Sequence, residues 1–132
     1  MASIRRAGLK PRPWKLKNSV REEISIDCIF CVPVVPNVNH TYQWVREIRG
    51  WKFKRAAAIQ FRIADNETVW FGYFGMPHER LTAAQAFDRY LRLADARGFQ
   101  VIVPRKIESS EIKRIRRAPQ LVGWRYLPGY VR

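Results

Sequence analysis

The chain has 132 residues, enough for one domain with a buried core, and 47% of them are hydrophobic, well above the composition that leaves a chain disordered. Its 25 Lys and Arg against 11 Asp and Glu leave a net charge of +14, a self-repulsion best understood if a polyanion normally neutralises part of it. No stretch approaches the roughly 20 apolar residues of a membrane span, and the charged start MASIRRAGLK lacks the hydrophobic run of a secretion signal, so a soluble, cytoplasmic protein with no membrane partner is expected.

Residues 1–19 carry Arg5, Arg6, Lys10, Arg12, Lys15 and Lys17, interrupted by Pro11 and Pro13 and with little beyond Trp14 to bury. This composition predicts an extended basic arm, held by its own domain or by a partner, ahead of a single α+β domain over residues 20–132. The β-branched run from Glu23 to Val35 predicts a strand stopped by Pro33 and Pro36, because proline donates nothing to a ladder. Pro36, Asn37 and Asn39 form a turn, and Thr41 to Ile48 fits a short helix or a strand equally.

From Trp51 to Ile63 the pattern has period two: Trp51, Phe53, Ala57, Ile59, Phe61 and Ile63 alternate with Lys52, Lys54, Gln60 and Arg62. With Ala64, Asp65, Asn66 and Glu67 as a turn and Thr68 to Phe74 returning, the expectation is an antiparallel hairpin over about 51–74. Thr82 with Gln85 three residues on is a capping box, opening an amphipathic helix over about 82–97 that Gly98 ends. Its expected core face is Ala83, Phe87, Tyr90, Leu91 and Ala94, with Asp88 and Arg92 paired one turn apart on the other side. Phe99 to Val103 predicts a further strand, ended by Pro104. Ser109 or Ser110 can cap a short basic helix over about 109–117, with Ile112 and Ile115 inward and Lys113, Arg114, Arg116 and Arg117 outward. Leu121 to Leu127 predicts a last strand. The fold class is α+β, a small antiparallel sheet with one helix packed on it.

Candidate chemistry is sparse. Cys28 and Cys31 have the C-x-x-C spacing of redox and zinc sites, but a strand points residues three apart to opposite faces, so two ordinary strand cysteines and no bound metal are expected. His78 in a loop has neither a nucleophile nor an orienting acid at recognisable spacing, and Asp65 and Glu67 sit where a turn favours such residues anyway. Glycine-rich phosphate loops are absent from the sequence, so neither catalysis nor a cofactor is expected. VWFGYFG approaches an aromatic RNA-binding strand without its leading basic residue; of its rings, Trp70 and Phe74 project oppositely to Val69, Phe71 and Tyr73, and one set could stack on bases.

The basic clusters remain: Arg5, Arg6, Lys10, Arg12, Lys15 and Lys17 in the arm; Lys52, Lys54 and Arg62 on one strand face; Arg105, Lys106, Lys113, Arg114, Arg116 and Arg117 near the C-terminus. Interleaved with Trp14, Trp51 and Trp124, they suit backbone neutralisation with aromatic contact, and arginine grips phosphate bidentately. The first expectation is a non-enzymatic binder of DNA or RNA phosphates or of a ribonucleoprotein. The alternative is a small phage or mobile-element inhibitor, anti-CRISPR-like, acting by protein–protein interaction on an acidic surface or nucleic-acid site of a host defence complex.

Overall fold

A computed structural model describes residues 7–36, 38–41, 43–44 and 57–117. Strand β1 (Arg12–Lys17) is extended by the composition that predicts an arm, yet it is an edge strand: it pairs antiparallel with β2 (Glu23–Cys31), Trp14 opposite Ile26 and Leu16 opposite Ile24. The tight connection is organised by Asn18, whose side-chain oxygen accepts from the amides of Val20 and Glu22, while Arg21 takes a left-handed φ of 65°.

After β2 a short helix, α1 (Val38–Thr41), is fastened by Thr41 Oγ1, which exchanges hydrogen bonds with the backbone of Val35. Then follow β3 (Ala57–Phe61), β4 (Thr68–Tyr73), β5 (Glu79–Thr82), helix α2 (Ala83–Arg92), β6 (Phe99–Val103), a 3₁₀ turn at Ser109–Glu111 and β7 (Ile112–Arg117). Five strands make one antiparallel sheet in the order β1-β2-β6-β4-β5, and β3 with β7 makes a second, two-stranded sheet. The chain is thus a small α+β domain.

The expected hairpin over 51–74 does not form. The turn at Asp65 and Asn66 is present, but β3 pairs with β7 and β4 pairs with β5 and β6. Val69, Trp70 and Phe71 are buried on both faces of β4, which suits a strand with neighbours on each side. The segment expected as a basic helix over 109–117 is a 3₁₀ turn followed by a strand. The misleading signal is the three-residue spacing of Ile112 and Ile115. In β7 the register slips so that Arg114 faces Gln60 and Ile112 faces Phe61, leaving Lys113 as an extra residue; a bulge brings residues three apart to one face as a helix does.

Helix α2 has the predicted capping box, with the Thr82 hydroxyl accepting from the Gln85 amide at 3.1 Å and the Gln85 side chain accepting from the Thr82 amide at 2.9 Å. It ends at Arg92, short of the expected 97, because Leu93 turns extended and Asp95 captures both the amide and the guanidinium of Arg97. Its buried stripe is Ala86 and Tyr90 with Ala83 and Leu93 alongside, whereas Phe87 and Leu91, expected in the core, are exposed. Gly98, at φ +88°, lies so close to the Tyr73 ring that a side chain there would collide with it.

The two sheet faces carry separate cores. On one, Val69, Phe71, Val101 and Val103 pack with α2 and Ile107, and Phe61 and Ile112 of the second sheet join them. A polar network is built into this side: Gln43 donates to the Tyr90 hydroxyl (2.9 Å) and the Ala96 carbonyl (3.0 Å) and accepts from the Gly98 amide (2.6 Å), and Tyr90 donates to the His40 carbonyl. Every polar atom of the Gln43 amide group is paired, and burial holds the Tyr90 phenol up at about 12. The other face holds Leu16, Cys28, Trp70 and Ile102, with Ile24 and Ile26 beside them. Leu16 on one edge strand belongs to the same cluster as Trp70 three strands away, and the sheet curls: the His78 amide, just ahead of β5, donates to the Lys17 carbonyl at the end of β1 (2.8 Å).

Candidate nucleic-acid interface

The distribution of charge follows from which carboxylates are already used. Seven of them, Glu23, Glu67, Glu79, Asp88, Asp95, Glu108 and Glu111, each lie within 4 Å of a Lys or Arg nitrogen. Arg105, expected among the phosphate contacts, belongs to the tightest of these groups. Its Nε and one terminal nitrogen clasp Glu67 (2.7 and 2.8 Å), both terminal nitrogens clasp Glu111 (2.6 and 2.7 Å), and the last N–H reaches the Lys106 carbonyl (2.7 Å). All five donors are satisfied, which raises the guanidinium pKa further and holds Glu111 down at about 2, chiefly through the hydrogen bonds from Arg105. Arg105 ties the β3–β4 connection to the 3₁₀ turn; it is structural. Lys106 and Lys15 also have carboxylate neighbours, Glu108 and Glu23, each at 3.8 Å and well exposed.

Among the described residues, Lys10, Arg12, Lys17, Arg21, Arg62, Arg80, Lys113 and Arg114 have no carboxylate within ion-pair distance, and all are exposed. Arg80 lies on β5 over the Trp70 ring, and the other seven fall into two groups. Arg62, Lys113 and Arg114 sit on the β3–β7 sheet, where the Arg62 amide donates to the Glu111 carbonyl and the bulge at Lys113 disposes two successive cations in one short stretch. Lys10, Arg12, Lys17 and Arg21 sit on and around β1. Arg116 and Arg117 occupy register positions opposite Ala58 and Ala57 in β7. Arg5, Arg6, Lys52 and Lys54, with Trp51 and Trp124 and the strand expected at Leu121 to Leu127, lie outside the described residues.

The chain matches no family model, no curated protein and no solved structure.

The sulfur pair behaves as a strand requires. Cys28 is buried with Leu16 and Trp70 on one face, and Cys31 packs into the core on the other. Burial raises both thiols, that of Cys31 to about 12 and that of Cys28 with help from neighbouring Asp27, the opposite of an activated nucleophile. His78, expected as a polar loop residue, is instead buried against Gly72: Nδ1 bonds the Met76 carbonyl (2.8 Å) and Nε2 lies 3.3 Å from the Gln100 side-chain nitrogen. Desolvation lowers its pKa, partly opposed by the Met76 contact, and the neutral ring with its proton on Nδ1 satisfies both partners. Among the described residues, no group of three or more His, Cys, Asp or Glu is disposed to hold a metal, and no helix is long and apolar enough to cross a membrane.

Two features escape sequence reasoning. Trp70, in one of the two sets of which either could stack on bases, is buried with the Arg80 guanidinium 5.6 Å over its ring, and Val69 and Phe71 of the other set are buried as well. Phe30 stands exposed beside Trp14, ring centroids 5.1 Å apart and planes at 87°. The available signal was the period-two order of Arg12, Trp14 and Leu16, which marks one face of a strand inside a segment whose prolines and charges suggest a tail.

Proposed function

We propose that this chain is a non-enzymatic binding protein that holds the phosphates of a nucleic acid, free or within a ribonucleoprotein, through cations its own carboxylates leave unneutralised. The observation that carries this reading is the segregation just described: seven carboxylates are spent on internal ion pairs, while Arg62, Lys113 and Arg114 at the β3–β7 sheet and Lys10, Arg12, Lys17 and Arg21 around β1 stand exposed with no carboxylate in ion-pair reach among the described residues. Exposed, unneutralised like charges oppose folding slightly and attract a polyanion. The raised thiols and the buried His78 give no support to a catalytic role, and the two free cysteines suit a reducing, cytoplasmic setting.

The test is the double variant Lys113→Gln with Arg114→Gln. Its melting temperature should stay close to the wild type, because both side chains are exposed, neither has a carboxylate within ion-pair distance among the described residues, and the attraction of Lys113 for Glu111 is secondary to that of Arg105. Nucleic-acid affinity should fall, and the slope of log K against log salt should shrink by roughly 0.7 to 0.9 for each phosphate contact removed. An unchanged slope refutes the role of β7. A wild type that binds no nucleic acid at low salt, yet co-purifies in a protein complex that survives nuclease, refutes the nucleic-acid reading itself.

A further inference from the structure

We propose that the face of the sheet bearing Trp14 and Phe30 is a stacking platform for the unpaired bases of a single-stranded nucleic acid, with Arg12 as its phosphate contact. This rests on the nucleic-acid reading above and deepens it, giving the cations around β1 a substrate class and an aromatic contact beside them.

The alternation of β1 and β2 builds the platform. Arg12, Trp14 and Leu16 share one face with their cross-strand partners Cys28, Ile26 and Ile24, and Phe30 continues that row. Phe30 lies opposite Ile102, Ile102 opposite Trp70, and Trp70 opposite Arg80, so one line of side chains crosses four strands. Within this face Leu16, Cys28, Trp70 and Ile102 are buried, whereas Trp14 is 45% and Phe30 40% exposed. The two rings therefore stand beside a buried apolar cluster and hold one another edge to face, with ring surface open to solvent. A pre-ordered aromatic surface is what base stacking requires, and such stacking tolerates any base because every base has a π-face.

Charge decides which occupant fits. The same alternation sends both ionised groups of β2, Glu23 and Asp27, to the opposite face with Lys15 and Lys17. The platform face thus carries Arg12 and Arg80 and, among the described strand residues, no carboxylate. An exposed guanidinium two residues along the strand from an exposed indole offers a phosphate contact beside a base contact, the repeat of a single strand. A duplex keeps its base faces stacked inside and can use only the cations. A partner β-strand is disfavoured at this edge, since Pro11 and Pro13 remove two amide donors from it.

The experiment compares fluorescein-labelled oligothymidylate with a duplex of equal length, binding to the full chain at several salt concentrations. Trp14→Ala and Phe30→Ala should each weaken single-strand binding roughly 5- to 150-fold, the range for loss of one stacked base, with the salt slope kept and duplex affinity changed less than about twofold. Trp14→Phe should retain most of the affinity. Arg12→Gln should instead reduce the single-strand salt slope by about 0.7. If Trp14→Ala is poorly folded, ultraviolet cross-linking of wild type to 5-bromouridine-substituted oligonucleotide replaces it, and the adduct should map to the peptide containing Trp14 or Phe30. Single-strand affinity unaffected by Trp14→Ala, equal losses on duplex and single strand, or cross-links only to the β7 peptide would each overturn the platform while leaving the phosphate-binding reading intact. Failure of the wild type to bind either nucleic acid would overturn both.

Discussion

Replacing Arg105 by alanine removes a guanidinium whose five N–H groups are all engaged and leaves Glu67 and Glu111, only 21% and 23% exposed, without their bidentate partner. Charge-assisted hydrogen bonds contribute about 1.5–3 kcal/mol each when buried, and partial solvent access at this site lowers that, so a net loss of about 3 kcal/mol is expected for the two bidentate contacts together. For a chain of this size that corresponds to a fall in Tm of about 10 °C. Arg105→Lys should recover only part of it, because a single ammonium cannot fork to two carboxylates. Glu111 supplies a second signature. Its folded pKa is about 2 against an ordinary 4.5, so the stabilisation is fully present above pH 4.5 and is lost as pH falls towards 2. Urea unfolding followed by tryptophan fluorescence at pH 7 and pH 3 should show the gap between wild type and variant narrowing at the lower pH. A variant melting within about 1 °C of wild type, or a gap independent of pH, would refute the clamp. Nucleic-acid affinity of the folded fraction should not change, in contrast to the Lys113/Arg114 variant.

Thr82→Ala deletes the hydroxyl that accepts from the Gln85 amide and should lower stability by about 1 kcal/mol in urea melts with no change in binding; a loss below about 0.3 kcal/mol would show that Gln85 alone caps the helix. His78 has its pKa lowered by burial, so the unfolded chain takes up a proton that the folded chain resists, and stability should decline as pH falls below 6.5. His78→Asn should flatten that part of the stability profile, and an unaltered profile would mean that another group is responsible.

What could be read from the sequence is what is encoded locally. The Thr82/Gln85 box lies within one turn, and the four apolar residues of five-residue β6 stop at Pro104, so helix and strand were both legible. Strand partners were not, because the alternation of β3 and the apolar run of β4 are compatible with mutual pairing, and only β7 and β6, more than 25 residues further on, decide otherwise. The Ile112 and Ile115 spacing was ambiguous in principle, since a helix and a bulged strand both place those residues on one side. At the candidate interface, exposed cations could be counted but their availability could not. Arg105 looks like Arg114 in the sequence, and its commitment depends on Glu67, 38 residues away.

The strand order also sets a timetable. β6 occupies the middle of the five-stranded sheet, yet its residues 101–103 leave the ribosome about seventy residues after the β2 residues 29–31 with which they pair. At about 5–20 residues per second, the β1–β2 hairpin waits several seconds or more with one edge of β2 open and its apolar residues unsheltered. Much of the sheet is assembled around its last-arriving member, and pairings this distant in sequence slow the search for the native state. Expression at low temperature or with chaperones present should therefore change soluble yield more than the stability of the finished protein would suggest.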